Sequence, residues 1–488
     1  MWTQRDQIQA YQFLRRRLVS ALVTTDPNDP VSPSRRLILA TFIGLGVGLL
    51  VTAVFGIVGA LNPSGGKDWK QGGTVIVEKE TGARFVLGED GLLHPVLNYA
   101  SARLLAGGSG DRTSTVPGEK LRSIPRGATI GIPGAPDSLP PTDSLVEASL
   151  LSCSRRSPDQ PAAAEPVASA AVGVNAPGGR LEPGKGAVVS LRTGERFLLT
   201  AGHRFRLPDT AAVAALTLDG APAIPVSRAW VNTVPVGRDL GLIAVPSAGS
   251  RGPKVGPIET KVGMVLTVDN PGGAFGFYLV RADGLASITQ TEAHLVSGNP
   301  ANRSGLVGGG PSEVRVSAAD VATAPRSPVP GNTGSDEAAR GGYPQRIPAL
   351  ASLPRGSITL CAIGDGRTGA EIVVGDTVPL PGDARVTPVP SRSDGRVANE
   401  VYVPPGRGAL VVEEPATGVA TGTVYLITDA GSKYPIANAD AVSALGYGGI
   451  QPQGVSASLL ALLPTGPTLD PVRAQLVVSG APAGGVGR

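Results

Sequence analysis

Histidines, cysteines and glycine–lysine pairs are where chemistry would reside in this chain of 488 residues, which has three His and two Cys. A bound metal needs several His, Cys or carboxylate ligands, and such sets announce themselves through short spacings. His94, His203 and His294 have no second ligand two to four positions on, so they read as turn and helix-surface histidines and no metal is assigned. A nucleotide phosphate is cradled by a GxxxxGK[ST] loop, whose backbone N–H groups and lysine meet the negative charge. The nearest fragments, Gly65-Gly66-Lys67, Gly184-Lys185-Gly186 and Gly431-Ser432-Lys433, lack the earlier glycine at the required offset. No G-x-S-x-G elbow occurs, and adjacent acids such as Glu413-Glu414 suit a solvated strand edge better than acid–base work. These residues assign no catalytic or cofactor-binding position, and no cofactor is evident.

The elements that position the chain begin with an uncharged apolar run over 37–61, LILATFIGLGVGLLVTAVFGIVGAL. As a helix it measures roughly 37 Å, enough to cross a hydrocarbon core of about 30 Å. A polar segment of 36 residues precedes it and no small-residue cleavage site follows, so it reads as an uncleaved single-pass anchor in the plasma membrane. The first 36 residues carry Arg5, Arg15, Arg16, Arg17, Arg35 and Arg36 against Asp6, Asp26 and Asp29. The positive-inside rule places that segment in the cytoplasm and residues 62–488 outside it. With the tail removed the remainder is near neutral, so a pI near 9.1 says nothing for nucleic acid. Within the tail Ile8, Tyr11, Leu14, Leu18 and Leu22 recur at helical spacing. Arg15, Arg16 and Arg17 on that helix would gain about 1 kcal/mol each at an anionic bilayer. A solvated face and docking on a cytoplasmic partner are the alternatives. Trp69 suits the outer interface. Cys153 and Cys361 both fall on the outer side, where an oxidising compartment permits a disulfide between them.

Outside the membrane, four segments resemble one another: RFVLGEDGLLHPVLNYASARLL (84–105), RFLLTAGHRFRLPDTAAVAAL (196–216), FYLVRADGLASITQTEAHLV (277–296) and VYLITDAGSKYPIANADAVSALGY (424–447). Each has an aromatic strand position (Phe85, Phe197, Tyr278, Tyr425), a turn glycine (Gly91, Gly202, Gly284, Gly431), a second strand and a helix. Pro95, Pro208 and Pro435 are read as helix-start prolines. A single hairpin–helix unit buries too little to stand alone, so the units are expected to pack on a shared body. The reading is an α+β ectodomain with units at about 74–110, 186–235, 262–330 and 408–465. The segments 186–191, 262–268, 371–378 and 408–412 are read as strands of a central sheet. Stretches 160–176 and 297–343 read as mobile loop, apart from a short helix near 317–323, and the last twenty or so residues as frayed.

These residues resemble the EccB family, a membrane component of type VII (ESX) secretion systems of actinobacteria. The resemblance rests on the tail DQIQAYQFLRRRLVSALVTTDPNDP with Arg35 and Arg36, on TVIVEKETGARFVLGEDGLLHPVLNYASARLL (74–105) and on IPRGATIGIPGAPDSLP (124–140). VPPGRGALV (403–411), KYPIANADAVSALGYG, LLPTGPTLDP and the Cys153 and Cys361 pair extend it over essentially the whole chain. It implies an elongated ectodomain, with repeats around a central β-domain in a distorted propeller-like order and a bracing disulfide. It also implies a place in a membrane complex with EccC-, EccD- and EccE-like subunits, a mycosin-type protease and other copies of EccB. The family label of ATPase implies ATP, for which the sequence shows no site. Departures are a poorly patterned 297–343 and Leu-Leu-Ser before Cys153. The leading function is a structural and assembly subunit whose span packs against partner helices through Gly44 and Gly48, a small-xxx-small pair. An extracytoplasmic ATPase and a cell-wall glycan-binding module are the alternatives.

Overall fold

The computed structural model describes residues 3–24, 33–61, 67–70, 72–107, 112–147, 149–161, 164–174, 179–269, 275–305, 313–327, 342–352, 356–364, 366, 369–382, 384, 386–389, 395–414 and 422–478. Two helices open it, α1 (Gln4–Thr24) and α2 (Pro33–Leu61). Pro33 stands at the first position of α2, where a fixed φ and a missing N–H cost nothing. Within α2, 38–57 is long and apolar enough to cross a membrane and is the one such stretch among the described residues.

The first unit comprises β1 (Val75–Glu78), β2 (Arg84–Leu87), β3 (Leu93–Pro95), α3 (Tyr99–Ala106) and β4 (Thr113–Val116). Its sheet runs β3-β2-β1-β4, antiparallel except that β4 lies parallel to β1. After β5 (Leu150–Arg156) and β6 (Val167–Val172), the second unit repeats the plan with β7 (Lys185–Ser190), β8 (Arg196–Thr200), β9 (His203–Leu207), a helix (Thr210–Ala215) and β10 (Ala223–Pro225). The third uses β11 (Val265–Asp269), β12 (Phe275–Arg281), β13 (Gly284–Ile288), a helix (Gln290–Ser297) and β14 (Glu313–Val316). Then come β15 (Ala349–Leu350), which pairs with β7, and β16 (Ile358–Gly364), β17 (Glu371–Gly375), β18 (Thr387–Pro388) and β19 (Glu400–Tyr402). The fourth unit closes the chain with β20 (Gly408–Glu414), β21 (Val424–Thr428), β22 (Lys433–Ile436), a helix (Ala439–Ala444) and β23 (Gln453–Ser456).

The hairpin–helix reading is thus half of each unit. A parallel fourth strand and a short helix complete it: Gly118–Leu121, Arg228–Val231, Ala318–Thr323 and Ala457–Leu460. The chain then returns along the free edge of the third strand, as in the bridges Val96↔Ile130, Arg204↔Val236, Leu285↔Arg326 and Ile436↔Leu469. That return covers an edge that would otherwise invite foreign strands.

Three expectations are corrected. The segments 186–191, 262–268 and 408–412 are first strands of units two, three and four; only 371–378 contributes to the central sheet, which runs β17-β16-β5-β6-β19-β18. Within 160–176, β6 is a buried interior strand of that sheet, since a strand covered on both faces needs no alternation. Within 297–343 the described residues form a helix (Pro300–Gly305), β14 and Ala318–Thr323, while 306–312 and 328–341 lie outside them. The prolines also serve otherwise. Pro95 and Pro435 lie in edge strands, where a missing N–H breaks no ladder, and the helices start on other caps.

Shared cores order the units. One cluster joins Ala100 and Leu104 of the first unit to Leu426, Tyr434 and Ala441 of the fourth. A second joins Val411 and Ile427 of the fourth to Ala170 and Val401 of the central sheet. A third joins Leu360 and Ile372 of that sheet to Phe197 and Trp230 of the second, and a fourth sets Leu295 of the third against Leu198 and Leu216 of the second. The units therefore form a row: first, fourth, central sheet, second, third. Among the described residues no shared core joins the first unit to the third, as a closed propeller-like ring would require.

Candidate assembly surfaces and the braced centre

The centre of the row is built on β5. Its residues alternate between faces, so Ser152 and Ser154 look toward the second unit and Cys153 looks away. The Trp230 Nε1 donates to the Ser152 carbonyl at 3.0 Å, the Ser152 and Thr233 hydroxyls meet at 2.7 Å, and the Ser227 N–H donates to Ser154 Oγ at 2.9 Å. These bonds satisfy polar atoms that burial would otherwise penalise. On the other face Cys153 stands directly opposite Cys361 of β16, Cα to Cα 4.0 Å, and the two form a disulfide. Leu151, Ala171, Val174 and Val373 bury it.

The seam between the first and fourth units encloses a cleft of about 690 Å³ lined by Tyr99, Arg103, Pro140, Tyr447 and Gly446 among others. The Tyr447 hydroxyl donates to the Pro140 carbonyl at 2.7 Å, and burial drives its pKa far up. The Arg103 guanidinium donates to the Ala444 carbonyl, at a helix C-terminus, and to the Tyr99 hydroxyl. Burial pushes the Tyr99 phenol up, but bonds with Thr113 and Arg103 and the charges of Arg103 and Arg84 outweigh it, so its pKa lies below the ordinary value. Gly446, at φ +94°, lets the guanidinium pass, because a Cβ there would stand 2.5 Å from Arg103 Nη2. The cleft lining holds one guanidinium and no carboxylate, which does not suit a triphosphate with its metal ion.

The residues weighed for chemistry are scattered. His94 lies between Asp90 and the Ala128 carbonyl, His203 meets the Ala201 carbonyl, and His294 sits on the third-unit helix. Among the described residues no three metal-ligating side chains converge. Lys433 turns inward, its ammonium donating to the carbonyls of Leu460 and Leu463 at the end of a short helix. Lys185 pairs with Glu182, and Gly65 and Gly66 lie outside the described residues. Glu413 accepts from the Tyr425 hydroxyl at 3.1 Å.

On α2 a Cβ at Gly44 or Gly48 would meet nothing within 4 Å, and both stand open along the helix. Arg35 and Arg36 fall in the first turn of α2; Arg15, Arg16 and Arg17 lie on α1, Arg17 over the Phe13 ring. Two repeated devices escaped the sequence reading. Asn98, Asp209, Thr289 and Asn438 cap the unit helices, each side chain accepting the N–H three residues on. Each aromatic strand position also carries a cation: Arg126 on Phe85, Arg204 on Phe197, Arg326 on Tyr278 and Lys433 on Tyr425. The alignment of an Asn, Asp or Thr eleven to thirteen positions beyond each aromatic was the available signal.

One N-terminal helix long and apolar enough to cross a membrane, followed by four like units in a row about a disulfide-braced sheet, defines the architecture. The profile of the family described as type VII secretion system ESX-1, transport TM domain B, matches residues 1–483, and the chain belongs to that family, EccB. It is 28% identical over 494 residues to the ESX-5 secretion system ATPase EccB5 of Mycobacterium tuberculosis, covering 96% of this chain and 92% of that one. Its fold is similar to a chain of the intact ESX-5 inner membrane complex, with TM-score 0.66 and 24% identity, covering 100% of this chain and 98% of that one. A chain of the periplasmic assembly from the ESX-5 inner membrane complex matches with TM-score 0.60 and 27% identity over 84% of this chain and 97% of its own.

Proposed function

We propose that this chain is a structural and assembly subunit of a type VII secretion membrane complex, anchored by α2 and shaping the complex outside the cytoplasm through its row of units. The observation that carries the reading is the whole-length match to EccB, a relative of which sits in the periplasmic assembly of an ESX-5 inner membrane complex. The braced row suits that role: shared cores at every joint make it a stiff element rather than beads on a string. In this reading α1 and its arginines are cytoplasmic and residues beyond 61 face outward. α2 packs on partner helices through Gly44 and Gly48, and the ectodomain meets further copies of itself. EccC-, EccD- and EccE-like subunits and a mycosin-type protease are the partners expected. ATP turnover is not part of the proposal, because Lys433 is committed to two carbonyls and the cleft between the first and fourth units offers no metal-binding carboxylate.

The test is isolation of the tagged full chain from membranes in mild detergent. Co-isolation of other secretion subunits supports the reading, and recovery of the chain alone sinks it. Thiol labelling of Thr3→Cys in intact cells tests orientation: protection until the membrane is opened is expected, and labelling from outside overturns the topology.

A further inference from the structure

Arg103 is the one charged side chain lining the cleft between the first and fourth units, and among the described residues it has no carboxylate partner. A guanidinium carries five N–H donors. Half-buried, Arg103 commits Nε to the Ala444 carbonyl at 3.4 Å and one N–H of Nη1 to the Tyr99 hydroxyl at 3.3 Å. One donor on Nη1 and both on Nη2 are left, and Nη2 lies beside Gly446, where the missing Cβ keeps it clear. Asp137, whose carboxylate accepts the Tyr99 N–H, is itself paired with Arg84 at 2.6 Å. Burial raises the Tyr99 pKa, but bonds with Thr113 and Arg103 and the charges of Arg103 and Arg84 bring it below the ordinary value, so the cleft favours negative charge.

The rest of the lining is apolar or bare. Half-buried Leu139 and exposed Pro141 follow the first unit, and the exposed Gly448 and Gly449 follow the fourth-unit helix. Among the described residues neither the Gly448 nor the Gly449 N–H meets a backbone acceptor. We propose that this cleft binds a short extended peptide carrying one carboxylate, with the carboxylate on the Arg103 fork and the peptide main chain along Gly448 and Gly449.

Size and charge both fit such a ligand. A volume of about 690 Å³ falls inside the range of roughly 300–1,000 Å³ typical of small-ligand sites, enough for a few residues. One guanidinium balances one carboxylate and matches its planar pair of oxygens. A bare carboxylate ion would leave Leu139 and Pro141 in water, and a neutral sugar would leave the cation without a counter-charge. A peptide with alanine or proline on either side of the acid meets the charge, the open N–H groups and the apolar lining together. The acid can belong to a side chain or to a chain end. This binding stands apart from the assembly role, since it needs only the seam between the two units.

The test is calorimetric titration of the full chain in mild detergent with three acetylated peptides. Pro-Ala-Glu-Ala-Pro-amide carries a side-chain acid, Pro-Ala-Gln-Ala-Pro a free C-terminal carboxylate, and Pro-Ala-Gln-Ala-Pro-amide neither. At least one acidic peptide should bind with a Kd of about 10–500 µM, and the neutral one about ten-fold or more weakly. Which acid binds identifies the source, and either supports the site. Arg103→Gln should weaken binding by about ten-fold or more. Because that change also removes the bond to Ala444, Thr142→Trp is the second variant: it fills the cleft from an exposed position and leaves the guanidinium and its bonds in place. Binding should be lost there too. No binding of either acid at about 2 mM, equal binding of the neutral peptide, or binding retained in either variant overturns the proposal. Each of those results leaves co-isolation of secretion subunits untouched, so the assembly role would stand.

Discussion

Removing the Cys153–Cys361 bond should weaken the centre of the row without abolishing its fold. The cysteines are 208 positions apart, and the chain-entropy model gives closure of such a loop about 5 kcal/mol. The sheet does not depend on the bond for register. β5 and β16 pair from Leu150↔Gly364 to Ile358↔Arg156, and the hydroxyl network on the opposite face is independent of sulfur. Trp230 is a local reporter, fully buried with its indole N–H on Ser152, next to Cys153. In a Trp2→Phe, Trp69→Phe background, urea unfolding followed by Trp230 emission should shift to lower urea on reduction. With a slope of about 2–3 kcal/mol per M, the shift is about 2 M. A Cys153→Ala, Cys361→Ala variant should shift slightly further, because small cavities replace the sulfurs. Both forms should keep a blue-shifted Trp230 at zero urea. A shift under about 0.5 M would refute the loop-closure account, and a red-shifted Trp230 in reduced protein without urea would show that the ladder cannot stand alone.

Lys433→Met leaves two buried carbonyls without their donor and should cost about 2–4 kcal/mol, read as faster amide exchange in 408–478; a loss of ATP turnover without that destabilisation would contradict the inward assignment. Tyr447→Phe removes the bond to Pro140 and should cost about 1–2 kcal/mol at the seam of the first and fourth units. In the native chain this tyrosine should stay protonated beyond the ordinary phenol range, and an ultraviolet titration showing all eight tyrosines ionising normally would contradict its burial. Bonds from Arg228 and then Thr193 hold the Glu195 pKa below its usual value, so this pair stabilises above the ordinary glutamate range and the contribution is lost as pH falls through the depressed value. Carboxyl NMR of Arg228→Ala should show the Glu195 pKa rise; an unmoved titration speaks against the pair. Gly44→Leu with Gly48→Leu should lower the yield of assembled complex while the chain stays in the membrane, and an unchanged yield would leave α2 a plain anchor.

The parts of the fold legible in the sequence were those written in local pattern. Phe85, Phe197, Tyr278 and Tyr425 each fall in a second strand, and Gly91, Gly202 and Gly431 sit in turns at φ near +75°, where other residues are strained. The parallel fourth strand was not legible, because its partner lies across a helix: Val75 pairs with Thr113 and Val411 with Gln453. β6 was missed because VASAAV lacks bulk, and only the neighbours β5 and β19 make a small-residue strand a good fit there. At the site the pairing of Cys153 with Cys361 was readable, since the chain has two cysteines and both follow the apolar run. The inward turn of Lys433 was not, since its partners arrive from 27 and 30 residues downstream.

The position of the disulfide acquires its meaning from chain connectivity. The chain leaves the central sheet after β6, builds the second and third units, and returns through β15 to β16. Those two units are therefore an insertion into the sheet, and the bond between β5 and β16 ties the insertion at its neck. The other half of the row, units one and four, is the half joined to α2, so any load passing from α2 to the far units crosses this one sheet. Hydrogen-bonded strands can slip in register under such load, and a covalent bond between directly opposed residues forbids the slip. Reduction should then loosen the far half more than the near half. Amide exchange in 185–327 should rise relative to 75–147, and equal change in both would place the function of the bond in overall stability instead.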